Sequence, residues 1–416
     1  MTILLINHYA GCPDLGMEYR PYFMAHELKK KGHRVIIIAA TYSHIRNQQK
    51  QFKNNIQTEI INEIEFVWIK TPHYNSNGLS RMWNIFKFVY ILYINYKKIS
   101  KMYIPDVVIA SSTYPFDIFP AHRISKYTKA KLIFEIHDLW PLSPMELGGM
   151  SKYHPFILAV QLGEDFALKH SEQIISMLPN AKDYLISRGL DANKFNFVPN
   201  GIYLDDWNEN QNIPQDHQVL IGGLKSEGYK LVCFAGSHGI ANALPTLIEA
   251  ARLLSNNKIA VILVGNGNEK KNLIDFVRKT GITNVYFLDS VAKQQIPNLL
   301  SKMDILYIGL QRQSLFRFGI SPNKLFDYMM AGKPIIQSIE AGNNIVEDAK
   351  CGISIEPENA SETKNAILLL LSLSNIELEK MGKNGKEYVL KNHEYSVLAQ
   401  KFIEVIEKQN IKVPNK

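Results

Sequence analysis

The residues best suited to chemistry sit in one run, Ser321-Pro322-Asn323-Lys324-Leu325-Phe326-Asp327-Tyr328-Met329-Met330-Ala331-Gly332-Lys333-Pro334. It reads as a helix whose N-terminus is left open. Ser321 suits an N-cap, and Pro322 suits the first helical position, where a missing N–H costs nothing. The amides of Asn323, Lys324 and Leu325 then lack acceptors within the helix. A Glu at the third helical position would close a capping box. Lys324 stands there instead, so positive charge gathers at the positive pole of the helix dipole. An anion is the natural counterpart, and a phosphate fits best. Asp327, one turn further in, can accept from hydroxyls beside that anion, while Gly332 and Pro334 stop the helix before Ile335-Ile336. A phosphate beside a polyol describes a nucleotide sugar. The competing reading is an ordinary capped helix with a surface lysine.

Other polar groups cluster just after apolar runs. His137-Asp138-Leu139-Trp140-Pro141 follows Leu132–Ile136; a lone His is usually structural, but a His-Asp pair at a strand end points to a ligand. Gly236-Ser237-His238-Gly239 follows Leu231–Ala235, and Gly265-Asn266-Gly267 follows Ala260–Val264. Gly236 and Gly239 fit a turn facing a phosphate, whereas a turn needing positive φ explains Gly265 and Gly267 better. The long first loop, His8 to Arg20, holds Gly11 and Gly16, which let backbone approach a ligand. Neither GxGxxG nor GxxxxGKS occurs, so nothing here specifies a dinucleotide or ATP.

The elements that must carry these loops alternate. Short β-branched runs at Ile3–Asn7, Val35–Ala40, Val107–Ala110, Leu132–Ile136, Ile174–Ser176 and Phe195–Val198 are separated by helical patterns such as Pro21–Lys31. After a polar stretch with Pro214 the rhythm restarts at Leu231–Phe234, Ala260–Val264, Val285–Leu288, Ile305–Ile308, Ile335–Gln337 and Ile353–Ile355. Two doubly wound α/β domains are expected, over residues 1–207 and 228–385, joined by a linker at 208–227. Their ligands would bind beyond the carboxyl ends of the strands, between two facing domains.

With 416 residues the chain exceeds one ordinary core, in keeping with two domains. The three cysteines, Cys12, Cys233 and Cys351, lie far apart without metal-ligand spacing, which argues against a disulfide framework or a zinc site and for a reducing cytosol. The apolar run Ile3 to Ile6 is too short for a signal peptide. A net charge of +8 comes from 47 basic and 39 acidic residues, scattered except around Arg81 to Lys101, so nucleic acid is not the expected partner. That exception joins Trp83, Phe86, Tyr90 and Tyr93 to Arg81, Lys87, Lys97, Lys98 and Lys101. As a helix, Met82 to Ile94 reaches roughly 20 Å, short of the ~30 Å of bilayer hydrocarbon. Two readings stay open: contact with an anionic inner leaflet, or a core helix with a basic cap.

Taken in order, these segments resemble the retaining glycosyltransferases of the GT-B fold, family 4, in the branch that builds bacterial O-antigens and capsules. The resemblance runs nearly the full length. It rests on the Gly-containing first loop ahead of Ala25 to Val35, on His137 to Pro141, Val198-Pro199-Asn200-Gly201-Ile202, Gly236 to Gly239, and Ser321 to Pro334. Transferases of N-acetyl-L-fucosamine and related deoxyamino sugars are similar as well. The resemblance implies two Rossmann-like domains, an amino-terminal one for the acceptor and a carboxy-terminal one for the donor, with a final segment at about 386–416 crossing back. It implies transfer from a nucleoside diphosphate sugar, expected to be a UDP-sugar, to a lipid-linked saccharide, with no cofactor or metal, in the cytoplasm or on the inner face of the plasma membrane. His137 and Asp138 become the catalytic candidates, with His137 beside the transferred sugar and Asp138 fixing the loop or the imidazole tautomer. Gly16, Gly236, Ser237, His238, Gly239, Ser321, Asn323, Lys324, Leu325 and Asp327 become the donor-binding ones, with Asp327 on the ribose.

Two departures stand out. Many members carry two Glu residues eight positions apart, and Gly319 stands where the first would be. Many also carry an Arg and a Lys after the first strand of the second domain, yet Gly236 to Leu244 has neither. Lys324 is the expected substitute, ahead of Arg312 and Arg317. A UDP-sugar 2-epimerase of the same fold, and a non-catalytic nucleotide-sugar binder in a polysaccharide assembly, remain the alternatives.

Overall fold

The computed structural model describes residues 1–16, 18–74, 78–208 and 211–408. Residue 17 of the first loop, residues 209–210 of the expected linker and residues 409–416 of the expected crossing segment lie outside the described residues. The chain divides into two units, residues 1–200 with 395–416, and residues 201–394.

In the first unit an eight-stranded sheet runs in the order β3-β4-β2-β1-β5-β6-β7-β8. Its strands are β1 (Thr2–Ile6), β2 (Arg34–Ala40), β3 (Ile56–Ile61), β4 (Ile64–Ile69), β5 (Val107–Ala110), β6 (Lys131–Ile136), β7 (Gln173–Ser176) and β8 (Phe195–Phe197). All neighbours pair in parallel except β3 with β4. The parallel strands are apolar along nearly their whole length because helices cover both faces. Sequence reasoning missed the β3–β4 hairpin. Its two-residue turn, Asn62-Glu63, has both φ positive, 46° and 67°, as a tight hairpin turn needs. The turn lacks the usual Gly, and β3 is half exposed.

The second unit holds an all-parallel sheet ordered β11-β10-β9-β12-β13-β14. These strands are β9 (Lys230–Ala235), β10 (Ile259–Val264), β11 (Val285–Leu288), β12 (Ile305–Gly309), β13 (Ile335–Ser338) and β14 (Gly352–Ile355). Strand order reverses between β9 and β12, so the loop after β9 opens at the switch point, where such sheets bind ligands. Gln215–Ser226, within the stretch read as a linker, is a helix. It buries Ile221 and Leu224 with Leu231 and Cys233, so it belongs to this unit's core.

The expected crossing segment is two helices, Asn375–His393 and Tyr395–Glu407, broken at Glu394, whose ψ of 135° is extended. The first buries Val389 in the second unit, with the His393 ring stacked on Phe326. The second lies on the helix Arg20–Lys30 of the first unit, with the Tyr395 and Phe23 rings 5.4 Å apart.

Candidate functional site

In the second unit the helix Asn323–Met330 docks on the end of β9. The Tyr328 hydroxyl accepts from the Ala235 N–H at 2.7 Å and donates to the Ala235 carbonyl at 3.1 Å. That anchor brings the first turn to Gly236-Ser237-His238-Gly239. Lys324 Nζ donates to Asn242 Oδ1 at 2.5 Å and lies 4.4 Å from the centre of the Phe234 ring, a cation–π contact. A Cβ on Gly236 would stand 3.2 Å from Lys324 Nζ. Among the described residues no acidic side chain pairs with this ammonium, and burial pushes it down to about 7. Among the described residues the amides of Ser237, Gly239, Asn323 and Lys324 have no protein acceptor. Open amides at a helix end and a turn, with an ammonium between them, form an anion cradle.

Several expectations for this segment change. The helix begins at Asn323, and Pro322, with φ −75° and ψ 123°, takes the N-cap position, so Ser321 lies one residue ahead of the cap. The Leu325 amide is not open, because it donates to the Pro322 carbonyl at 3.1 Å. Both Asp327 oxygens are held by Lys293 Nζ, at 2.6 and 2.7 Å. Arg312 pairs with Glu340 and Glu356, and Arg317 lies over Phe318, so neither reinforces Lys324. Gly319 has φ 95° and ψ 171°, a conformation closed to a Glu without strain.

His238 is 0% exposed, with ring centres of Phe234 and Phe287 each 6.2 Å away. Burial and the cations of Lys270 and Lys324 push it down to about 4. The ring is enclosed, and among the described residues neither of its nitrogens has a hydrogen-bond partner. Gly265, at φ 143°, is needed for its turn and for space, since a Cβ there would meet the Gly236 carbonyl oxygen. Gly267 is needed for space alone: its Cβ would fall 2.4 Å from the His238 carbonyl oxygen.

In the first unit His137 follows β6. Its Nε2 lies 2.9 Å from Ser111 Oγ and 3.3 Å from Glu135 Oε2. Glu135 is buried and held by Arg20, whose Nε and Nη2 donate to Oε1 at 3.0 and 2.9 Å. Arg20 also donates to the carbonyls of Val198 and Pro199. Burial works to raise the Glu135 carboxyl, but Arg20, His137 and Ser111 more than reverse it, leaving it well below the usual carboxylate range. Asp138 turns away from this network. Its Oδ1 accepts from the Leu139 N–H at 2.8 Å and from Ser143 Oγ at 2.6 Å, so it braces the loop and does not set the imidazole. Gly16, at φ 96°, sits in a tight turn where a Cβ would meet the Asn47 amide at 2.9 Å. Its requirement is the close packing of the first loop on the loop after β2, where the Asn47 N–H donates to the Leu15 carbonyl.

Sequence reasoning missed Arg20, Ser111 and Glu135 here, and Asn242, Lys293 and Tyr328 in the second unit. Glu135 left one signal, a charge inside the otherwise apolar run Leu132–Ile136, where an ion needs a partner. The others depend on strand order, which no local pattern carries. Among the described residues no group of three or more His, Cys, Asp and Glu side chains is placed to hold a metal ion.

Residues 16–206 match the family described as Glycosyltransferase Family 4, and residues 221–388 match Glycosyl transferases group 1. No curated protein matches the chain. Among solved structures, sucrose-phosphate synthase from Thermosynechococcus elongatus aligns over 97% of this chain and 98% of its own, with 16% identity and a TM-score of 0.72. HepE of Anabaena in complex with UDP-glucose aligns over 98% and 99%, with 15% identity and a TM-score of 0.66. WaaG, a glycosyltransferase involved in lipopolysaccharide biosynthesis, aligns over 98% and 100%, with 15% identity and a TM-score of 0.65.

Proposed function

We propose, from the premise that the chain is a GT-B glycosyltransferase with a family 4 domain followed by a group 1 domain, that it moves a sugar from a UDP-sugar to a lipid-linked saccharide with retention of configuration. The observation that carries this reading is the Lys324 ammonium, set among open amides at the mouth of the β9 loop and, among the described residues, without a carboxylate partner. The second unit takes the donor and the first the acceptor. The bond from the anomeric carbon to the diphosphate breaks, the acceptor hydroxyl oxygen bonds to that carbon, and the hydroxyl proton leaves with the diphosphate. Negative charge develops on the leaving diphosphate, where the Asn323 and Lys324 amides and the Lys324 ammonium are poised to stabilise it. Asp327 accepts from the ribose with the lone pairs that Lys293 leaves open. His137 orients the transferred sugar. The UDP-glucose bound by HepE supports a UDP donor, and WaaG's part in lipopolysaccharide biosynthesis supports a surface-polysaccharide acceptor such as an O-antigen or capsule precursor. An N-acetylated deoxyamino sugar is the proposed sugar.

The helix Leu79–Ile94 supports contact with the inner leaflet. Among the described residues no helix is long and apolar enough to cross a membrane. This one exposes Trp83 (56%) and Phe86 (54%) with Tyr90 and Ile94 along one face, and Lys97, Lys98 and Lys101 follow. Burying rings at the headgroups beside anionic lipid suits that combination.

UDP release from UDP-sugars tests the reading. Turnover by the parent that is lost in Lys324→Ala supports it. UDP binding without turnover of any donor, even with lipid acceptor supplied, would favour the non-catalytic binder, which Gly319, where many family members carry a Glu, also favours.

A further inference from the structure

Hydrogen-bond counting in the first unit leaves His137 one arrangement. Ser111 Oγ carries a single hydrogen. Glu135 is ionised beside Arg20 and can only accept, and its Oε2 lies 2.6 Å from Ser111 Oγ, so the hydroxyl hydrogen goes there. The Ser111 oxygen is left with lone pairs, which face Asn7 Nδ2 at 3.3 Å and His137 Nε2 at 2.9 Å. Glu135 Oε2, the other polar atom near Nε2, is also only an acceptor. Nε2 therefore carries the ring hydrogen. On a neutral ring Nδ1 is then the bare nitrogen. Among the described residues no protein group meets Nδ1, and it is not sealed in the interior.

The arrangement has rigid supports. Arg20 grips Glu135 through two N–H groups and spends others on the Val198 and Pro199 carbonyls, so the guanidinium cannot swing away. Arg20 and Glu135 side chains are 2% and 3% exposed, which keeps water from competing for the carboxylate. Asp138, the acid next to His137 in sequence, is occupied by Leu139 and Ser143.

We infer that Arg20, Glu135 and Ser111 are positioning residues that fix His137 as the Nε2–H tautomer, making Nδ1 a hydrogen-bond acceptor reserved for a substrate hydroxyl. That the hydroxyl belongs to a sugar rests on the function proposed above. Such a ring accepts a hydroxyl hydrogen and cannot donate from Nδ1 while neutral, so it selects a substrate that presents O–H at that point. A lysine at position 20 would keep the charge but lose the fork that reaches Glu135 and two carbonyls together.

The test is a long-range proton–nitrogen correlation spectrum of the full chain labelled with nitrogen-15 histidine, with His137 assigned through loss of its signals in His137→Gln. The neutral His137 ring should show a protonated-type Nε2 and a bare-type Nδ1. A protonated Nδ1, or the mixture seen for free imidazole, overturns the inference, and this reading needs no folded variant of the network. In Glu135→Gln the Ser111 hydroxyl is released to donate to Nε2, so the tautomers should shift toward Nδ1–H, and sugar transfer should slow roughly tenfold, the rate equivalent of one hydrogen bond. An unchanged tautomer and rate in that variant overturns it as well. Nε2–H in a protein that transfers no sugar keeps the relay and removes the proposed function; transfer with Nδ1–H does the reverse.

Discussion

In the proposed reaction Lys324 carries the second unit's chemistry, and its protonation links the proposed cradle to pH. A diphosphate beside the buried ammonium, which now sits near 7, raises its pKa toward the ~10.4 of an exposed lysine. UDP binding should therefore take up a proton, and affinity should weaken as pH rises above about 7, by at most about tenfold per pH unit. Stability carries the opposite sign. Between about 7 and ~10.4 the unfolded chain holds a proton that the folded one has released, so this group's contribution to stability rises with pH across that window. Calorimetric titration of UDP over a pH series checks the first statement, and Lys324→Met should bind weakly at every pH with that dependence flattened. Gly236→Ala should fold, because its two nearest contacts, at 3.2 Å, are the end of the flexible Lys324 side chain and the Phe234 ring stands at 3.3 Å. It should bind UDP less well, by an amount the same titration reads, because the amine must move. Lys324 was legible in the sequence because its helix start is local. Its partner Asn242 was not, being brought in by the β9 turn, and Asp327 was read without Lys293, which arrives after β11.

Helices and strands position these residues, and most of them follow from local pattern. The parallel strands announced themselves as short β-branched runs, and the Asn323–Met330 helix ended at Gly332, where φ is 65°, as its sequence predicts. The β3–β4 hairpin stayed hidden because its turn uses Asn-Glu at positive φ where Asn-Gly is usual. The approach to the Lys324 helix depends on Gly319. Gly319→Glu, which restores the acid common in similar enzymes, should destabilise the protein by about 1–3 kcal/mol, the cost of a side chain at such a φ and ψ; a urea midpoint shift measures it, and an unshifted midpoint would mean the backbone relaxes there. The Leu79–Ile94 helix buries Ile85, Phe88, Ile91 and Leu92 and still exposes aromatic rings. The core-helix reading therefore holds for one face, and the exposed rings make the other the proposed membrane face. Replacing Lys97, Lys98 and Lys101 by Glu should abolish sedimentation with vesicles containing anionic lipid and leave neutral vesicles unaffected. Equal sedimentation of parent and variant would remove the membrane contact from the account.

At the scale of the whole chain, one architecture occurs twice, and each copy contributes a different charge problem. The first unit buries an ion pair beside an imidazole; in the second, among the described residues, an ammonium stands without an acidic partner. The doubling was legible because the β-α rhythm stops and restarts. The point of division was less so, since Gln215–Ser226 looks polar until its Ile221 and Leu224 are seen under β9, and the last helices separate at a single extended residue, Glu394. The proposed transfer assigns a role to each unit, so one assay tests both assignments. The decisive measurement is nucleoside diphosphate release by the purified protein in chelator, across UDP-, GDP- and dTDP-sugars, with and without a membrane lipid extract. Release that requires both a UDP-sugar and the lipid fraction is the predicted result. Release that is indifferent to lipid, or that occurs only with another nucleotide, would contradict it.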